Sequence, residues 1–351
     1  MRRENGRTGA THKAPIHFAL REFILRKVSS SNINGLGSLA PSLDDVRKAA
    51  DRIKPYVHRT PLLPSRSLSE RIGVEVRLKC ENLQRAGSFK VRGAMNALLQ
   101  IPEGDRGRGV VAFSSGNHAQ GVALAARLLG MPATIVMPEN SVQSKVEATK
   151  AYGAAVVTAG VTAATRDTVA REVAEKNGAS IIPPFDDERI IAGAGTVGLE
   201  IATEWPEVTT IVTPLGGGGL LSGTALAATS INSAIDVFGV EPAAGNDGEQ
   251  SFHTGRIVTI DPPDTIADGA RTLSIGKRNF AVIRERVKDV VSVDDDLLLD
   301  VTKWAMYRTK LVIEPTGALG LAALIAGKIK PRGAVAVVIS GGNLDFHLLC
   351  R

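Results

Sequence analysis

Aromatic residues are scarce in this chain of 351 residues, only 4% of it being Phe, Trp or Tyr. That argues against the stacking platforms on which proteins hold single-stranded nucleic acid. Cysteine is scarcer still. The two present, Cys80 and Cys350, show neither metal-ligand spacing nor a disulfide framework, and read as spectators in a reducing compartment. No apolar run approaches the ~20 residues that cross a bilayer, and no secretory signal is evident. A cytoplasmic protein without a membrane partner is expected.

The net charge of +6 is unevenly placed. Residues 1–40 hold Arg2, Arg3, Arg7, Lys13, Arg21, Arg26 and Lys27 against Glu4 and Glu22, so nearly the whole surplus lies there and the remainder is close to neutral. A basic tail on a neutral body is not the clustered patch of a nucleic-acid-binding face. The tail is Arg-rich and carries Ser29, Ser30 and Ser31, which raises a transit peptide. A disordered extension is the preferred reading, because the apolar stretch is brief and no cleavage pattern follows.

Gly is plentiful at 36 residues, and short β-branched runs bounded by Gly or Pro recur at 109–115, 133–138, 154–160, 210–215, 236–240 and 334–340. Helical periodicity follows several of them, as at 119–129 and 141–152. Such alternation predicts an α/β protein with parallel sheets and helices on both faces. At this length the chain is expected to form two lobes. Pro183-Pro184 punctuates the middle of the chain, so the reading is a small mobile lobe at 109–186 and a large lobe from 41–108 with 187–351.

Within that frame Lys90 sits between Phe89 and Val91, opening a helix predicted over 92–99. A lysine in apolar surroundings is costly unless it is paired or chemically used, and desolvation lowers its pKa toward a nucleophilic range. Gly216, Gly217, Gly218 and Gly219 run from a strand into a helix. Residues without Cβ let main-chain N–H groups converge on an anion at the helix N-terminus. No Lys-Ser/Thr follows them, and the spacing of a dinucleotide fingerprint is absent, so a monophosphate fits better than a nucleotide. Ser114-Ser115-Gly116-Asn117-His118 follows another strand and can grip a carboxylate with hydroxyls, amide and free N–H groups. Ser340-Gly341-Gly342-Asn343 ends a third, very apolar strand.

Together these motifs resemble the serine/threonine dehydratase and serine racemase family of fold type II pyridoxal-phosphate enzymes, from about Leu43 to Asn343. The resemblance implies two open, mostly parallel twisted sheets flanked by helices, with the active site between a large and a small domain. It makes Lys90 the Schiff-base lysine, with Phe89 packed on the pyridine ring, Asn117 bonded to the ring hydroxyl, Gly216 to Gly219 on the phosphate and Ser340 at the ring nitrogen. Gly269 and Glu314 match positions lining the cofactor pocket. Ser114, Asn117 and His118 would bind the substrate carboxylate, with Arg166 a further candidate.

Opposite a serine the pyridine stays uncharged and is a weaker electron sink, which favours β-elimination over transamination. The activity implied is a lyase of amino-acid catabolism: L-threonine or L-serine loses water and then ammonia to give a 2-oxo acid, Lys90 acting as the base and the cofactor phosphate as proton donor. Ser115 matches the acid/base serine of the racemase branch, so serine racemase and 3-hydroxyaspartate dehydratase are the alternatives on the same site. A β-replacement synthase or a non-catalytic pyridoxal-phosphate binder ranks below them. Glu241, Gly245 and Asp247 resemble the racemase branch's site for Mg²⁺ or Ca²⁺; an acidic surface turn is the competing reading. Family members often have glutamine where this chain has Ala194. With Arg351 so soon after the Ser340 motif, no regulatory domain and no feedback inhibition by isoleucine are expected. The family habit implies a homodimer or homotetramer.

Overall fold

A computed structural model describes residues 40–141, 143–162 and 164–350 of the chain. The reading of residues 1–40 as an extension therefore falls, but for Ala40, outside the described residues.

Among the described residues, ten strands form two sheets. The larger takes β1 (Leu62–Pro64), β2 (Val76–Cys80), β7 (Thr210–Pro214), β8 (Asp236–Pro242), β9 (Asp289–Val293) and β10 (Val335–Ile339), in the order β1-β2-β10-β7-β8-β9. All its pairings are parallel except β1 with β2. The smaller takes β3 (Val110–Phe113), β4 (Ala133–Val136), β5 (Ala155–Val157) and β6 (Ser180–Ile181), all parallel, in the order β5-β4-β3-β6. The chemistry of the central strands explains their place. β10 reads Val-Ala-Val-Val-Ile and β7 Thr-Ile-Val-Thr-Pro, and every residue of both is buried. Such runs without alternation suit strands covered on both faces.

One face of the large sheet packs on the apolar helix Pro315–Ile325, through Leu319, Ala322 and Ala323 against Val335, Val337 and Ile339. The other face packs on helix Gly219–Ile231. That helix lies unusually close to helix Glu188–Glu204: a Cβ on Gly223 would stand 2.5 Å from the Ile191 carbonyl oxygen. Ala194, on the same helix as Ile191, is buried.

Helix Lys90–Leu98 bridges the two sheets' environments, contributing Ala94, Met95, Ala97 and Leu98 to the core that also takes Val110, Ala112 and Ile135 of the small sheet. It begins two residues earlier than the sequence pattern indicates, because Phe89 already has helical φ and ψ of −56° and −20°. Just before it, the chain is stitched to the end of β10. Phe89 N–H donates to the Ser340 carbonyl at 3.1 Å, Gly342 N–H donates to the Gly87 carbonyl at 2.9 Å, and Ser88 bridges Gly341. The lysine is thereby fixed to a strand end of the large sheet. No helix among the described residues is long and apolar enough to cross a membrane.

Candidate active site

The carboxyl ends of β3, β7 and β10 open onto one cavity of about 510 Å³, the position at which open α/β sheets bind ligands. It brings together Phe89, Lys90, Ser114, Ser115, Asn117, His118, Arg166, Gly216 to Gly219, Gly269, Glu314 and Ser340. Every residue read from the sequence as catalytic, cofactor-binding or substrate-binding lines it. The residues read as a cation site do not.

Lys90 Nζ donates to the Pro184 carbonyl at 2.9 Å and lies 5.2 Å from the Phe89 ring centroid. Desolvation brings its pKa down to about 8, against the opposing pull of Glu314. A useful share of the amine is then neutral near physiological pH.

Across the cavity, Gly218 takes a φ of +99° at the N-cap of helix Gly219–Ile231, a backbone state that side chains resist. The N–H groups of Gly216, Gly217, Gly218 and Gly219 find no acceptor among the described residues. The carbonyl of Gly217 is held from behind by Asn279 Nδ2 at 3.0 Å and Gly276 N–H at 3.1 Å. A Cβ on Gly217 would stand 2.1 Å from the Phe185 ring. The loop is therefore a rigid cradle of free donors at a helix N-terminus, which suits a phosphate.

On the small-sheet side, Ser114 Oγ accepts from Gly116 N–H at 3.2 Å, turning the chain into helix Asn117–Leu128. The N–H groups of Ser115, Asn117 and His118 are left without acceptors among the described residues. Free donors at a second helix N-terminus suit an anion. Asn117 is committed at both ends of its amide: Nδ2 donates to Glu314 Oε1 at 2.7 Å, and Oδ1 accepts from Asn343 Nδ2 at 2.8 Å. A cofactor hydroxyl would share the second Nδ2 hydrogen rather than find a free side chain. Glu314 is buried, its Oε2 has no partner among the described residues, and burial holds its carboxyl above the usual range, partly offset by Lys145 and Asn117.

The ring of His118 is bound to the main chain. The residue is 2% exposed and Nε2 lies 3.0 Å from the Ile182 carbonyl, to which it donates. Burial, then the charge of Lys90, push its pKa down to about 3, so the ring stays neutral. The donor it offers a carboxylate is its main-chain N–H rather than an imidazolium. Ser340 follows β10 directly and is 2% exposed. Gly269 N–H donates to Thr316 Oγ1 at 3.0 Å, and its carbonyl oxygen lies 2.9 Å from where a Cβ on Gly216 would be.

Lys145, Asp268, Arg271, Pro184, Phe185 and Asn279 also shape the site, and sequence reasoning missed them. Lys145 sits in a polar helix, Gln143–Ala151, with little apolar face. Arg271 follows a short 3₁₀ turn, Asp268–Ala270. Neither stands in a motif; only their basic character could have marked them.

At the end of β8, Glu241 is fully buried and accepts from Gly248 N–H at 3.1 Å and Glu249 N–H at 2.8 Å. Asp247 is also buried, and its two side-chain oxygens have no partner among the described residues. Burial and Asp247 hold Glu241 well above the carboxylate range, and burial pushes Asp247 up to about 7. Gly245 closes the turn Ala243–Gly245 beside them. Among the described residues there is no group of three or more His, Cys, Asp or Glu side chains able to hold a metal.

Pyridoxal phosphate fits the cavity on chemical grounds: an amine of lowered pKa, a cradle of free N–H donors for a phosphate, and an uncharged serine hydroxyl on the same wall. The comparison with known families decides the matter, for residues 53–341 match the model of the pyridoxal-phosphate dependent enzyme family. This chain belongs to that family. It is 50% identical over 307 residues to L-threo-3-hydroxyaspartate ammonia-lyase from Pseudomonas sp, covering 87% of this chain and 96% of that one. It is 47% identical over 308 residues to serine racemase from Schizosaccharomyces pombe, covering 88% and 95%. Among solved structures it is similar to a threonine deaminase from T.th., with a TM-score of 0.84 and 46% identity over 87% of this chain and 99% of that one. This pyridoxal-phosphate enzyme therefore has the fold type II architecture that its motifs resemble.

Proposed function

We propose that this protein is an ammonia-lyase of β-hydroxy amino acids, removing water across Cα and Cβ and yielding a 2-oxo acid and ammonia. The observation that carries the reading is the placement of Lys90 Nζ in a cavity with a phosphate cradle on one wall and a carboxylate-binding helix end on another. The names of the relatives, two ammonia-lyases or deaminases and a racemase, support it.

When bound, the cofactor supplies an electron sink that acidifies the Cα proton. Gly216 to Gly219 would hold its phosphate, Ser340 would offer its ring a neutral partner, and Phe89 and Asn117 would fix that ring. The N–H groups of Ser115, Asn117 and His118, with the Ser114 hydroxyl and Arg166, orient the substrate carboxylate and so aim the Cα–H bond at Lys90. Lys90 Nζ takes that proton and, once charged, can return one to the hydroxyl leaving Cβ, which departs as water; hydrolysis of the resulting enamine then consumes one water and releases ammonia. Gly269 and Glu314 close the pocket, with Asn117 locked against Glu314.

Ser115 supports a second activity on the same site. It lines the cavity with no side-chain partner among the described residues, as an acid/base group working from the other face of Cα would. Release of D-serine from L-serine above background supports racemisation; its absence removes that reading. A divalent cation at Glu241, the Gly245 carbonyl and Asp247 is supported by two buried carboxylates, one of them unpartnered among the described residues. Activity that survives exhaustive chelation, with no gain on Mg²⁺ return, counts against it.

The test of the main reading is Lys90→Ala. Loss of the yellow Schiff-base absorbance together with 2-oxo acid release is expected. A yellow, active variant overturns it.

A further inference from the structure

Among the described residues, four cationic side chains line the cavity: Lys90, Lys145, Arg166 and Arg271. Lys90 is taken by the cofactor. Lys145 forms an ion pair with Asp268. Arg166 forms no such pair among the described residues; Asp167 beside it attracts its charge but makes its ion pair with Arg171 at 3.0 Å. Arg271 has none either. Its Nε and Nη2 both donate to the Thr265 carbonyl, Nε at 2.8 Å, which fixes the guanidinium plane and leaves Nη1 without an acceptor among the described residues. Glu314 forms no ion pair with it among the described residues: its Oε1 accepts from Asn117, and burial holds its carboxyl above the usual range.

The cofactor's phosphate would be met by the glycine-loop N–H groups and the helix dipole. Two guanidiniums thus remain for the substrate. An amino acid with one carboxylate satisfies one of them and leaves the other lining the cavity without an ion-pair partner among the described residues, where charge-assisted bonds are strong and their absence is costly. Lys145 is already answered by Asp268 and feels Glu314 more than it feels Arg271, so it is Arg271, with Nη1 open, that an anion would satisfy.

We propose that Arg271, with Lys145 beside it, is a subsite for a second carboxylate, making an acidic β-hydroxy amino acid of the 3-hydroxyaspartate type the preferred substrate over serine or threonine. This rests on the ammonia-lyase reading and deepens it. The comparison with threonine is direct, because 3-hydroxyaspartate carries a carboxylate where threonine carries a methyl group. Sites built to bond a polar group discriminate strongly against analogues that lack it.

The test is the ratio of kcat/KM for L-threo-3-hydroxyaspartate to that for L-threonine, measured on the holoenzyme and on Arg271→Met, Arg271→Lys and Arg166→Met. Wild type should favour the acidic substrate. R271M should lower the ratio by roughly 30-fold or more, within the range of a lost charge-assisted bond, and R271K by less. R166M should depress both substrates together and leave the ratio within about threefold. A ratio unmoved by R271M, or moved by R166M instead, overturns the assignment. Calorimetry of succinate and butyrate binding to the holoenzyme gives a readout that needs no turnover: succinate should bind more tightly, and R271M should erase the difference. If no amino acid is turned over while succinate still depends on Arg271, the lyase reading fails and the subsite stands. If turnover is normal and succinate binding ignores Arg271, the subsite fails and the lyase reading stands.

Discussion

Lys90 and Arg92 stand two residues apart on one helix, yet their surroundings are opposite. Arg92 is fully buried and bound on every side: Nε to Glu81 at 2.7 Å, Nη1 to Glu200 at 2.7 Å, Nη2 to both carboxylates at 2.8 and 2.9 Å, and further bonds to Thr196 and the His58 carbonyl. Burial alone would lower its pKa, but Glu81 and Glu200 more than offset that and hold it above its ordinary value. Lys79 completes the cluster through Glu200 at 2.6 Å. Lys90 has one carbonyl bond and a pKa brought down to about 8. A buried cation kept inert is one whose donors are all answered, and a buried cation kept reactive is one left under-answered. The first locks the helix to β2 and to helix Glu188–Glu204, and the second uses the position so fixed.

The comparison can be broken most severely at Arg92. Arg92→Met leaves Glu81 and Glu200 buried without their counter-charge and should cost about 3–5 kcal/mol of stability, read from urea unfolding of the holoenzyme. A loss below about 1 kcal/mol would show that the cluster locks nothing, since that is the size of an exposed pair. Next in size is the phosphate cradle. Gly217→Ala drives a methyl group toward the Phe185 ring and should weaken pyridoxal-phosphate affinity by about 10- to 100-fold, the scale of an overpacking cost of 1–3 kcal/mol, measured by equilibrium titration. Unchanged affinity would place the phosphate elsewhere.

The contrast in pKa gives a third test. In the proposed role of Lys90 its neutral amine is the reacting form, and the fraction of that form rises as pH rises through about 8. Cofactor uptake by the apoprotein should accelerate about tenfold per pH unit below that point and level off above it. A rate still climbing toward pH 10 would mean that the amine is not desolvated. The smallest effect is expected at His118, whose neutral ring only braces the Ile182 carbonyl. His118→Gln should lower kcat/KM by less than about tenfold, the loss of one neutral hydrogen bond, and should leave the pH profile between 5 and 8 unshifted. A shifted profile would show an imidazolium at work.

Much of this was legible in the sequence because it rests on local chemistry. The runs that became β7 and β10 are apolar throughout, and four glycines between strand and helix have few uses besides an anion. β2 was hidden by Arg77 and Lys79 in Val-Arg-Leu-Lys-Cys; Lys79 is buried only because Glu200, distant in sequence, reaches it. β6 has two residues and β1 three, too short to show a period. β9 alternates without Gly or Pro to bound it. At the site, the motifs located their residues but not their states. The neutral ring of His118 comes from Ile182, and the committed amide of Asn117 comes from Glu314 and Asn343, all brought close only by folding. Arg271 and Lys145 were invisible for the same reason.

The central claim is that Lys90, and not another buried lysine, carries the cofactor. Borohydride reduction of the holoenzyme followed by peptide mass spectrometry tests it directly. A pyridoxyl-modified lysine is expected in the peptide containing Phe89-Lys90-Val91. Modification at Lys145 or Lys79, or at no lysine in a yellow protein, would contradict it.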